Sequence, residues 1–548
     1  MASRRDELNA YTFARKRTVG AFLLPGGGGS DEDAPRPVKA VLPSIVVGTL
    51  VVAGFGLWGA FKPSAPVGWD NGKNIIQGKT STTRYVILPD QGTGTPRLHQ
   101  VLNMASARLL LSVDSKVVVV ADQVLDAYPN HGPTVGIQYA PDKLPSKDVA
   151  GQPMLWSVCD SPGSDAKQET VNQTVFVAGG ADAKKLADKD EVLDVDQAVF
   201  VQQIDDSRIG GQEPVGTQSR LQYFLVDALG RSHAIGTTQT SDEEKKALVT
   251  ALFGATASPQ RVKPEWIKTL DAGMAITFPQ IPKVNPSAKS ANSSVQLQNP
   301  ADRKIGRLVK FGEKNYVVGA DQLYPITELQ SSLLKNDPAL QGLYDQDSDK
   351  HPKVDELTPA DQAKYGQGTL KENKLGLSPD WPAKSGHQMN TWDASKDAKK
   401  VVCSTFTGMD ADGKPKRSVW VGTQTPTTYS SGSSSAHVTA GYGLFYRAVD
   451  AGSGGSGSDF LITETGLRYA VQANSDAVGA AKSTSPAPTA SAQADGQQTQ
   501  QAAQDEGGTQ ARLGYKDIQP LPVPKEWSDL VPDGPGLNTK TALQQQNS

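Results

Sequence analysis

The chain has 548 residues, of which 37% are hydrophobic and 6% aromatic, so it is long enough for several domains and poor in core residues for one compact enzyme. Its 53 glycines and 36 prolines predict many loops and linkers. A net charge of −3 gives no general bias toward nucleic acid, and two cysteines are too few for a disulfide-dense scaffold or a cysteine-rich zinc site.

The first predicted element is a basic helix, SRRDELNAYTFARKRTVGAFLL, at residues 3–24. Ser3 and Asp6 can cap its first turn. At helical spacing, one face collects five side chains: Leu8, Tyr11, Arg15, Val19 and Phe22. This face predicts a docking helix for partner proteins, and a helix resting on anionic lipid is the alternative.

The second predicted element is the uncharged run AVLPSIVVGTLVVAGFGLWGAF at residues 40–61. About 20 helical residues cross the roughly 30 Å hydrocarbon core of a bilayer, so the run predicts a transmembrane helix. It is longer than the core of a signal peptide and lies farther from the start of the chain. Basic residues are more frequent before the run than after it, which places the N-terminus in the cytoplasm and the rest of this single-pass plasma-membrane protein outside.

Short internal matches predict a repeated architecture after the span. VVVADQV at residues 118–124 matches VVGADQL at residues 317–323, and each predicts a strand that enters a short helix. VKPEWIKTLDAG matches VPKEWSDLVPDG, with core tryptophans at Trp266 and Trp527. Four strands carry a tyrosine at what we take to be equivalent places, and together these matches predict about four related modules in an elongated scaffold. The tyrosines are Tyr85, Tyr223, Tyr316 and Tyr469.

Biased segments separate these elements. Residues 475–510 are rich in Ala, Gln, Ser, Thr and Gly, with almost no large apolar residue, and predict a disordered insertion in the last module. Flexible linkers or loop tips are predicted at residues 26–33, 429–435 and 452–458.

The two cysteines, Cys159 and Cys403, lie in strand-like runs outside the predicted membrane span. A disulfide between them would join distant segments into one central domain and contribute on the order of 5 kcal/mol in the chain-entropy model. Two unpaired buried thiols are the alternative.

The search for catalytic chemistry finds little. GKNIIQGKT at residues 72–80 has one residue too many between its glycines for a phosphate loop, and it precedes a strand. The six histidines are scattered, without zinc-ligand spacing, and no GxSxG elbow is present. We therefore expect no catalytic, cofactor-binding or metal-binding residue, and no enzyme activity.

Several stretches in order resemble the EccB family, the single-span membrane subunit of type VII (ESX) secretion systems of actinobacteria. They are RRDELNAYTFARKR, the span, LNMASARLLL, GIQYAPDKLP, WSVC, LRYAV and LPVP. The resemblance implies an α+β, β-rich extracytoplasmic region, in which four repeat modules surround a central barrel-like domain. Cys159 and Cys403 match the family's disulfide pair. The insertion at residues 475–510 departs from the compact family pattern.

With this resemblance, the expected domains follow the chain. They are the cytoplasmic helix and linker at 1–39, the transmembrane helix at 40–61, a linker with module 1 at 62–147, the first central segment at 148–205, module 2 at 206–285, module 3 at 286–370, the second central segment at 371–450, and module 4 at 451–548.

The function that the resemblance implies is structural. The chain would brace the secretion complex across the membrane and toward the cell wall, and would support export of WxG-type proteins. The implied partners are an EccC-like motor ATPase, an EccD-like and in some systems an EccE-like membrane protein, further copies of the chain itself, and peptidoglycan, with no nucleic acid. A lone membrane-anchored peptidoglycan-binding protein and an extracytoplasmic ATP hydrolase are the alternatives; some family members carry an ATPase label that no motif here supports.

Overall fold

The fold was analysed in a computed structural model of the full chain. The structure describes residues 3–23, 38–61, 65–90, 92–163, 170–204, 222–282, 284, 291–344, 352–368, 375, 380–391, 398–428, 436–450, 455–472 and 508–546. The predicted linkers at 26–33 and 429–435, part of that at 452–458, and residues 475–507 of the predicted insertion lie outside these ranges. Gln510, inside the predicted insertion, belongs to the short helix Thr509–Arg512.

The described residues are mostly extended. The strands in chain order are β1 Ile75–Gly78, β2 Arg84–Pro89, β3 Pro96–Val101, β4 Val117–Val120, β5 Leu155–Pro162, β6 Val171–Ala178, β7 Gln197–Gln203, β8 Tyr223–Asp227, β9 Arg231–Ala234, β10 Gln260–Val262, β11 Asp271–Ala272, β12 Leu308–Phe311, β13 Lys314–Val318, β14 Leu323–Ile326, β15 Val354–Glu356, β16 His387–Gln388, β17 Val401–Met409, β18 Pro415–Gly422, β19 Ala436–Val438, β20 Leu444–Val449, β21 Gly457–Ile462, β22 Arg468–Ala470 and β23 Leu521–Pro524.

Apart from the first two, the helices are short. They are α1 Arg4–Leu23, α2 Val38–Phe61, α3 Met104–Leu110, α4 Asp122–Asp126, α5 Lys147–Ala150, α6 Gly180–Leu186, α7 Asp242–Phe253, α8 Pro264–Lys268, α9 Glu328–Lys335, α10 Pro338–Gln341, α11 Pro359–Tyr365, α12 Thr509–Arg512, α13 Lys525–Ser528 and α14 Thr539–Ala542, with 3₁₀ helices at Pro300–Arg303 and Gly342–Tyr344.

The chain divides into two units. The first contains Met1–Trp69, Ile76–Thr82 and Val117–Asn130, and the second contains Asp70–Ile75, Thr83–Lys116 and His131–Ser548. In the first unit, α1 and α2 are followed by β1 and its neighbour β4, which leads into α4.

Three sheets of the second unit share one topology. In each, three antiparallel strands form a meander, a helix follows, and a fourth strand returns parallel to the first. The sheets are β7–β10 with the short strands β11 and β16, then β12–β15, and then β20–β23. In each of these modules, the fourth strand therefore pairs with the first strand of the same module.

A fourth sheet of the second unit has the order β18-β17-β5-β6-β19. Its strands come from residues 155–178 and 401–438, so it is assembled from separate segments of chain. The predicted barrel-like central domain is wrong, because among the described strands β18 and β19 do not pair with each other and the sheet stays open. The β-rich, mixed helix and strand class itself is confirmed.

Three strands pair outside the domain that the sequence boundaries gave them. β7 lies in the predicted first central segment and pairs with β8 and β10. β16 and β20 lie in the predicted second central segment, yet β16 pairs with β7 and β20 pairs with β21. The first strands of two sheets, β7 and β20, therefore lie earlier along the chain than the predicted starts of modules 2 and 4.

The central sheet is buried on both faces, because β5, β6 and β17 each contain a run of consecutive buried side chains that point alternately to the two faces. Trp156 and Val158 lie on one face, in the same core cluster as Trp266 and Trp527 of the flanking modules. The opposite face is a separate core, formed by Cys159, Cys403, Phe176, Trp420 and Leu186 with neighbouring residues.

The modules of the second unit also pack through their helical faces. Leu248 of α7 and Leu329 of α9 share one core, and Ser332 Oγ donates a hydrogen bond of 2.7 Å to the carbonyl oxygen of Ala251. Leu109 of α3 shares another core with residues of β20–β22 and of the C-terminal segment. Residues near the start and the end of the second unit therefore form one packed body.

In the part of the chain that the structure describes, no helix is at once long enough and apolar enough to cross a membrane. In α2, side chains are described at residue 41 and residues 43–55.

Candidate functional site

Helix α1 spans Arg4–Leu23, and the docking role predicted for one of its faces stays a prediction. Ser3 begins the helix: its backbone N–H donates to Asp6 Oδ2 at 3.1 Å, and its hydroxyl accepts from the N–H of Arg5 at 3.3 Å. Leu8, Tyr11 and Phe22 are all more than half exposed. Arg15 is also exposed and Val19 is half-buried. These five side chains lie within one narrow sector of the helix, and among the described residues Tyr11 and Phe22 keep most of their surface exposed.

Helix α2 exposes apolar side chains in every direction. Val41, Ile45, Val46, Val47, Leu50, Val51, Val52 and Phe55 are each at least half exposed. At 100° per residue, these positions surround the helix rather than forming a stripe. An apolar surface on all sides needs an apolar environment, which water does not provide.

Cys159 and Cys403 form a disulfide, as predicted. They lie directly opposite each other on the antiparallel strands β5 and β17. Both are almost completely buried, and the bond links segments that are 244 residues apart. The disulfide therefore fastens the two halves of the central sheet at its middle.

The repeated EW motifs occupy equivalent places. Trp266 lies in α8 after the fourth strand of one module, and Trp527 lies in α13 after the fourth strand of another. Both side chains are completely buried, so they are core residues and not exposed binding hot spots, as predicted.

A second repeated contact was not predicted. A Cβ at Gly132 would lie 2.2 Å from the ring of His99, one at Gly273 would lie 2.5 Å from that of His233, and one at Gly534 would lie 2.4 Å from that of Tyr469. In each case a glycine lets the chain after the fourth strand pass over a ring on a third strand. The only signal in the sequence was the shared glycine of the EW motifs.

Two sequence matches proved not to be structurally equivalent. VVVADQV runs from β4 into α4, as predicted, but VVGADQL runs from β13 through a turn into β14. The turn is closed by the N–H of Gly319, which donates to the carbonyl oxygen of Gln322 at 2.9 Å. Likewise, Tyr223 and Tyr316 lie on second strands of their sheets, whereas Tyr469 lies on a third strand. These stretches are similar because strands and turns favour the same residue types, and not because they occupy equivalent places in the modules.

Asp122 is the acid of the first match, and its role is structural. Its carboxylate accepts hydrogen bonds from the Ser81 hydroxyl and from the backbone N–H of Thr80 and Ser81. These donors lower the pKa of Asp122 to about 2, and the Ser81 hydroxyl contributes most. The Asp122 carboxylate stabilises the turn at Thr80 and Ser81, and its low pKa keeps it ionised at neutral pH.

The glycine stretch at residues 72–80 has the geometry of a strand. Its centre forms β1, and the N–H of Lys79 donates to the carbonyl oxygen of Val120 at 2.9 Å. A phosphate loop instead curls its amides around the ligand and opens a helix. Among the described residues, no group of three or more His, Cys, Asp or Glu side chains is placed to hold a metal ion.

The most perturbed acid of the central sheet is Asp160, next to the disulfide. It is completely buried, and burial raises its pKa to about 7. Its two oxygens accept hydrogen bonds from Gln173 Nε2 at 2.8 Å and from the backbone N–H of Lys263 at 2.7 Å. The second bond ties β5 to the segment that starts α8.

The comparisons with known proteins agree with this arrangement. The sequence model described as "Type VII secretion system ESX-1, transport TM domain B" matches residues 1–548. The chain belongs to the EccB family.

Relatives in this family are named as secretion-system ATPases. The "ESX-3 secretion system ATPase EccB3" of Mycolicibacterium smegmatis is 25% identical over 88% of this chain and 86% of its own length. The "ESX-5 secretion system ATPase EccB5" of Mycobacterium marinum is 30% identical, and the chain spans about half of that relative, 51%. The EccB1 protein of Mycobacterium tuberculosis is 27% identical over 60% of each chain.

Solved structures from two secretion complexes share the fold. A chain of the intact ESX-5 inner membrane complex matches with a TM-score of 0.54 and 19% identity, covering 100% of this chain and 96% of its own. The EccB3 dimer from the ESX-3 core complex matches with a TM-score of 0.53 and 21% identity, covering 86% of this chain and 100% of its own.

Proposed function

We propose that this EccB chain is a structural subunit of a type VII secretion complex, anchored by one transmembrane helix and acting by binding and positioning. The observation that carries the proposal is α2, whose apolar side chains are exposed on all sides. We propose that residues 40–61 of this helix cross the plasma membrane, with the N-terminus in the cytoplasm and the C-terminal region outside.

The packing of the outer region supports a bracing role. We propose four modules around the central sheet, with β7 assigned to the second module and β20 to the fourth. The disulfide, the tryptophan core and the packing of the C-terminal segment against α3 hold this region as a stiff body. Such a body is suited to transmit position rather than to turn over a substrate.

On the cytoplasmic side, we propose that the exposed face of α1 binds other subunits. The solved ESX-5 relative lies in an inner membrane complex, which supports membership of a similar assembly here. The proposed partners are an EccC-like ATPase, EccD-like and EccE-like membrane proteins and further copies of this chain, and the proposed outcome is export of WxG-type proteins. The energy for export then comes from the partner ATPase.

A pair of matched variants on α1 tests this docking role. Leu8→Asp places a charge on the proposed face, whereas Phe13→Asp places the same charge on an exposed ring of the opposite face. The full chain is expressed in its own host and purified from membranes in mild detergent. We expect Leu8→Asp to reduce the co-purified ATPase at least about tenfold, and Phe13→Asp to leave it unchanged.

Two results count against the proposal. Equal recovery of the ATPase with both variants excludes the α1 face as the docking surface. ATP hydrolysis by the purified chain alone, abolished by Lys79→Ala, shows that the ATPase name of its relatives applies to this chain as well.

A further inference from the structure

The module formed by β12–β15 contains an open cleft of about 1110 Å³. The β12–β13 hairpin, the junction of β14 with α9, the first residues of β15 and residues 383–384 contribute to its lining. Pockets for small molecules usually have volumes of about 300–1,000 Å³, so this cleft has room for a larger ligand. The docking role proposed for α1 gives the cleft no function.

One wall of the cleft is the end of a sheet face. Lys310 of β12 lies opposite Asn315 of β13, and Asn315 lies opposite Ile326 of β14. Residues in register on neighbouring strands share a face, and the apolar part of this face, including Leu308, belongs to the same core as Leu334 of α9. The cleft therefore begins where the apolar core of the module ends.

The second wall is held by α9. Thr327 and Gln330 form a capping box, in which each side chain accepts a hydrogen bond from the backbone N–H of the other residue. The N–H of Leu329 donates to the carbonyl oxygen of Ala383 at 3.1 Å, which ties this neighbouring segment to the start of the helix. Hydrogen bonds within the chain therefore fix both walls, which keeps the ordering cost of binding a ligand low.

The charged side chains of the lining are mostly lysines. We call this cleft the lysine cleft, after Lys310, Lys314, Lys335, Lys353 and Lys384. All of these lysines are exposed, and the acidic side chains in the described lining are Glu313 and Glu328. A concave surface with an excess of one sign of charge raises the local concentration of a ligand of the opposite sign. The lysine cleft therefore favours an anionic ligand.

Three of these lysines already face acids, but at long range. The pairs are Lys310 with Glu356, Lys353 with Asp355 and Lys384 with Glu328, and their nitrogen–oxygen distances are 3.5, 3.7 and 3.9 Å respectively. Solvent-exposed ion pairs contribute little to stability, because water screens the charges and the long side chains lose freedom. An incoming carboxylate can therefore replace the acids of the chain with little loss.

Apolar surface in the cleft narrows the ligand class further. Pro325, Pro352 and Val354 line the same cleft and are partly exposed. A peptide in which acidic and apolar residues alternate can reach the lysines and cover this apolar surface, whereas a polyphosphate chain leaves the surface in water. Glu313 and Glu328 also repel a densely charged polyanion more strongly than a peptide with spaced carboxylates.

We propose that the lysine cleft binds an acidic, partly apolar peptide segment of a different protein. The inference rests on the proposed function for its setting, in which this region lies outside the membrane and the chain acts by binding other proteins. Lysine suits such a segment because each ammonium group is a single point charge on a flexible stem, so it can reach carboxylates at different spacings. Binding should weaken as salt is added, since exposed charges carry it.

A charge-reversal pair tests the lysine cleft in the full chain in detergent. The probe is a fluorescein-labelled peptide with the repeat Glu-Ala-Glu-Pro, and its binding is followed by fluorescence anisotropy. Lys314→Glu combined with Lys335→Glu is expected to weaken binding at least about tenfold. Lys184→Glu combined with Lys189→Glu changes the net charge equally at exposed positions outside the cleft and should leave binding unchanged.

Two further variants separate binding from folding. Lys314→Arg combined with Lys335→Arg keeps both charges and should bind the peptide as the wild-type chain does. If charge reversal lowers the melting temperature, Lys314→Gln combined with Lys335→Gln, which removes the charges without adding repulsion, should still weaken binding about threefold. An uncharged peptide with the repeat Gln-Ala-Gln-Pro should not bind to the wild-type chain.

A photo-crosslinking residue introduced at position 335, in the chain's own host, identifies the partner. The crosslinked peptide should be rich in aspartate and glutamate and should come from a different protein. Three results overturn the inference: peptide binding that charge reversal leaves unchanged, lysine-dependent binding that is tighter for polyphosphate than for the peptide, and crosslinks only to a second copy of this chain.

Co-purification of other subunits from membranes distinguishes failure of the inference from failure of the proposed function. If the wild-type chain recovers the ATPase but the peptide binds regardless of the lysines, the inference fails and the proposed function stands. If the wild-type chain recovers no other subunit, the proposed function fails, and lysine-dependent peptide binding still supports the lysine cleft as a binding site.

Discussion

Replacing the buried acid Asp160 by asparagine should stabilise the protein at neutral pH. Burial raises the pKa of Asp160 from 3.8 to about 7, so the folded state binds a proton there that the unfolded state has lost. The stabilising, protonated form is therefore fully present below about pH 4, and its contribution is lost as the pH rises to about 7.

The magnitude follows from the pKa difference. One pKa unit corresponds to about 1.4 kcal/mol, so the rise from 3.8 to about 7 corresponds to a penalty of about 4 kcal/mol above pH 7. Asp160→Asn is neutral at every pH and retains an oxygen for the N–H of Lys263. Gln173 can turn its amide so that its oxygen accepts from the new amide group, which preserves the second bond.

The assay is urea unfolding of the full chain in detergent from pH 5 to pH 9, followed by tryptophan fluorescence. Trp156 lies on the same strand as Asp160, and Trp266 lies in α8, which starts directly after Lys263. The gain in free energy of unfolding from Asp160→Asn should be about 2 kcal/mol at pH 5 and rise to about 4 kcal/mol at pH 8. Asp517→Asn, at an exposed position, should show no such trend.

A gain in free energy of unfolding that is the same at every pH would refute the reasoning. The gain would then not come from removing the ionised carboxylate of Asp160. A large loss at all pH values would show that the carboxylate is required for the bond to α8.

Three further predictions concern the outer region. In each, the free energy of unfolding of a variant is compared with that of the wild-type chain. Cys159→Ala combined with Cys403→Ala should lower it by up to about 5 kcal/mol, since the disulfide spans 244 residues of chain; an unchanged value would contradict this. Gly273→Ala should cost about 1–3 kcal/mol because its Cβ meets the His233 ring, whereas Gly508→Ala, in open space, should not. Trp266→Ala should cost about 3–5 kcal/mol, and a cost below about 1 would exclude its core role.

Sequence reasoning worked best where the signal is local. The capped basic helix at residues 4–23, the strand identity of most apolar runs and the buried EW tryptophans follow from spacing and composition. The disulfide was predicted because both cysteines lie in strand-like runs outside the expected span, and in the structure those runs are neighbouring strands.

Non-local pairing could not be predicted. β7 pairs with β8, and β20 pairs with β21, because each is the first strand of a meander. From the sequence, both strands had been assigned to the central domain. The open central sheet, the rings over Gly132 and Gly273, and the C-terminal contacts with Gly136 all join residues far apart in sequence. The lysines of the lysine cleft are spread over residues 310–384, and only the fold brings them together.

We propose that this EccB chain acts as a membrane-anchored subunit that binds and positions other subunits. The most direct measurement is affinity purification of the full chain from detergent-solubilised membranes of its own host, with the co-purified proteins identified by mass spectrometry. We expect the chain to be recovered in a large assembly that contains further copies of the chain, a motor ATPase and multi-span membrane proteins. Recovery of the chain as a free monomer, or from the soluble fraction without membranes, would contradict it.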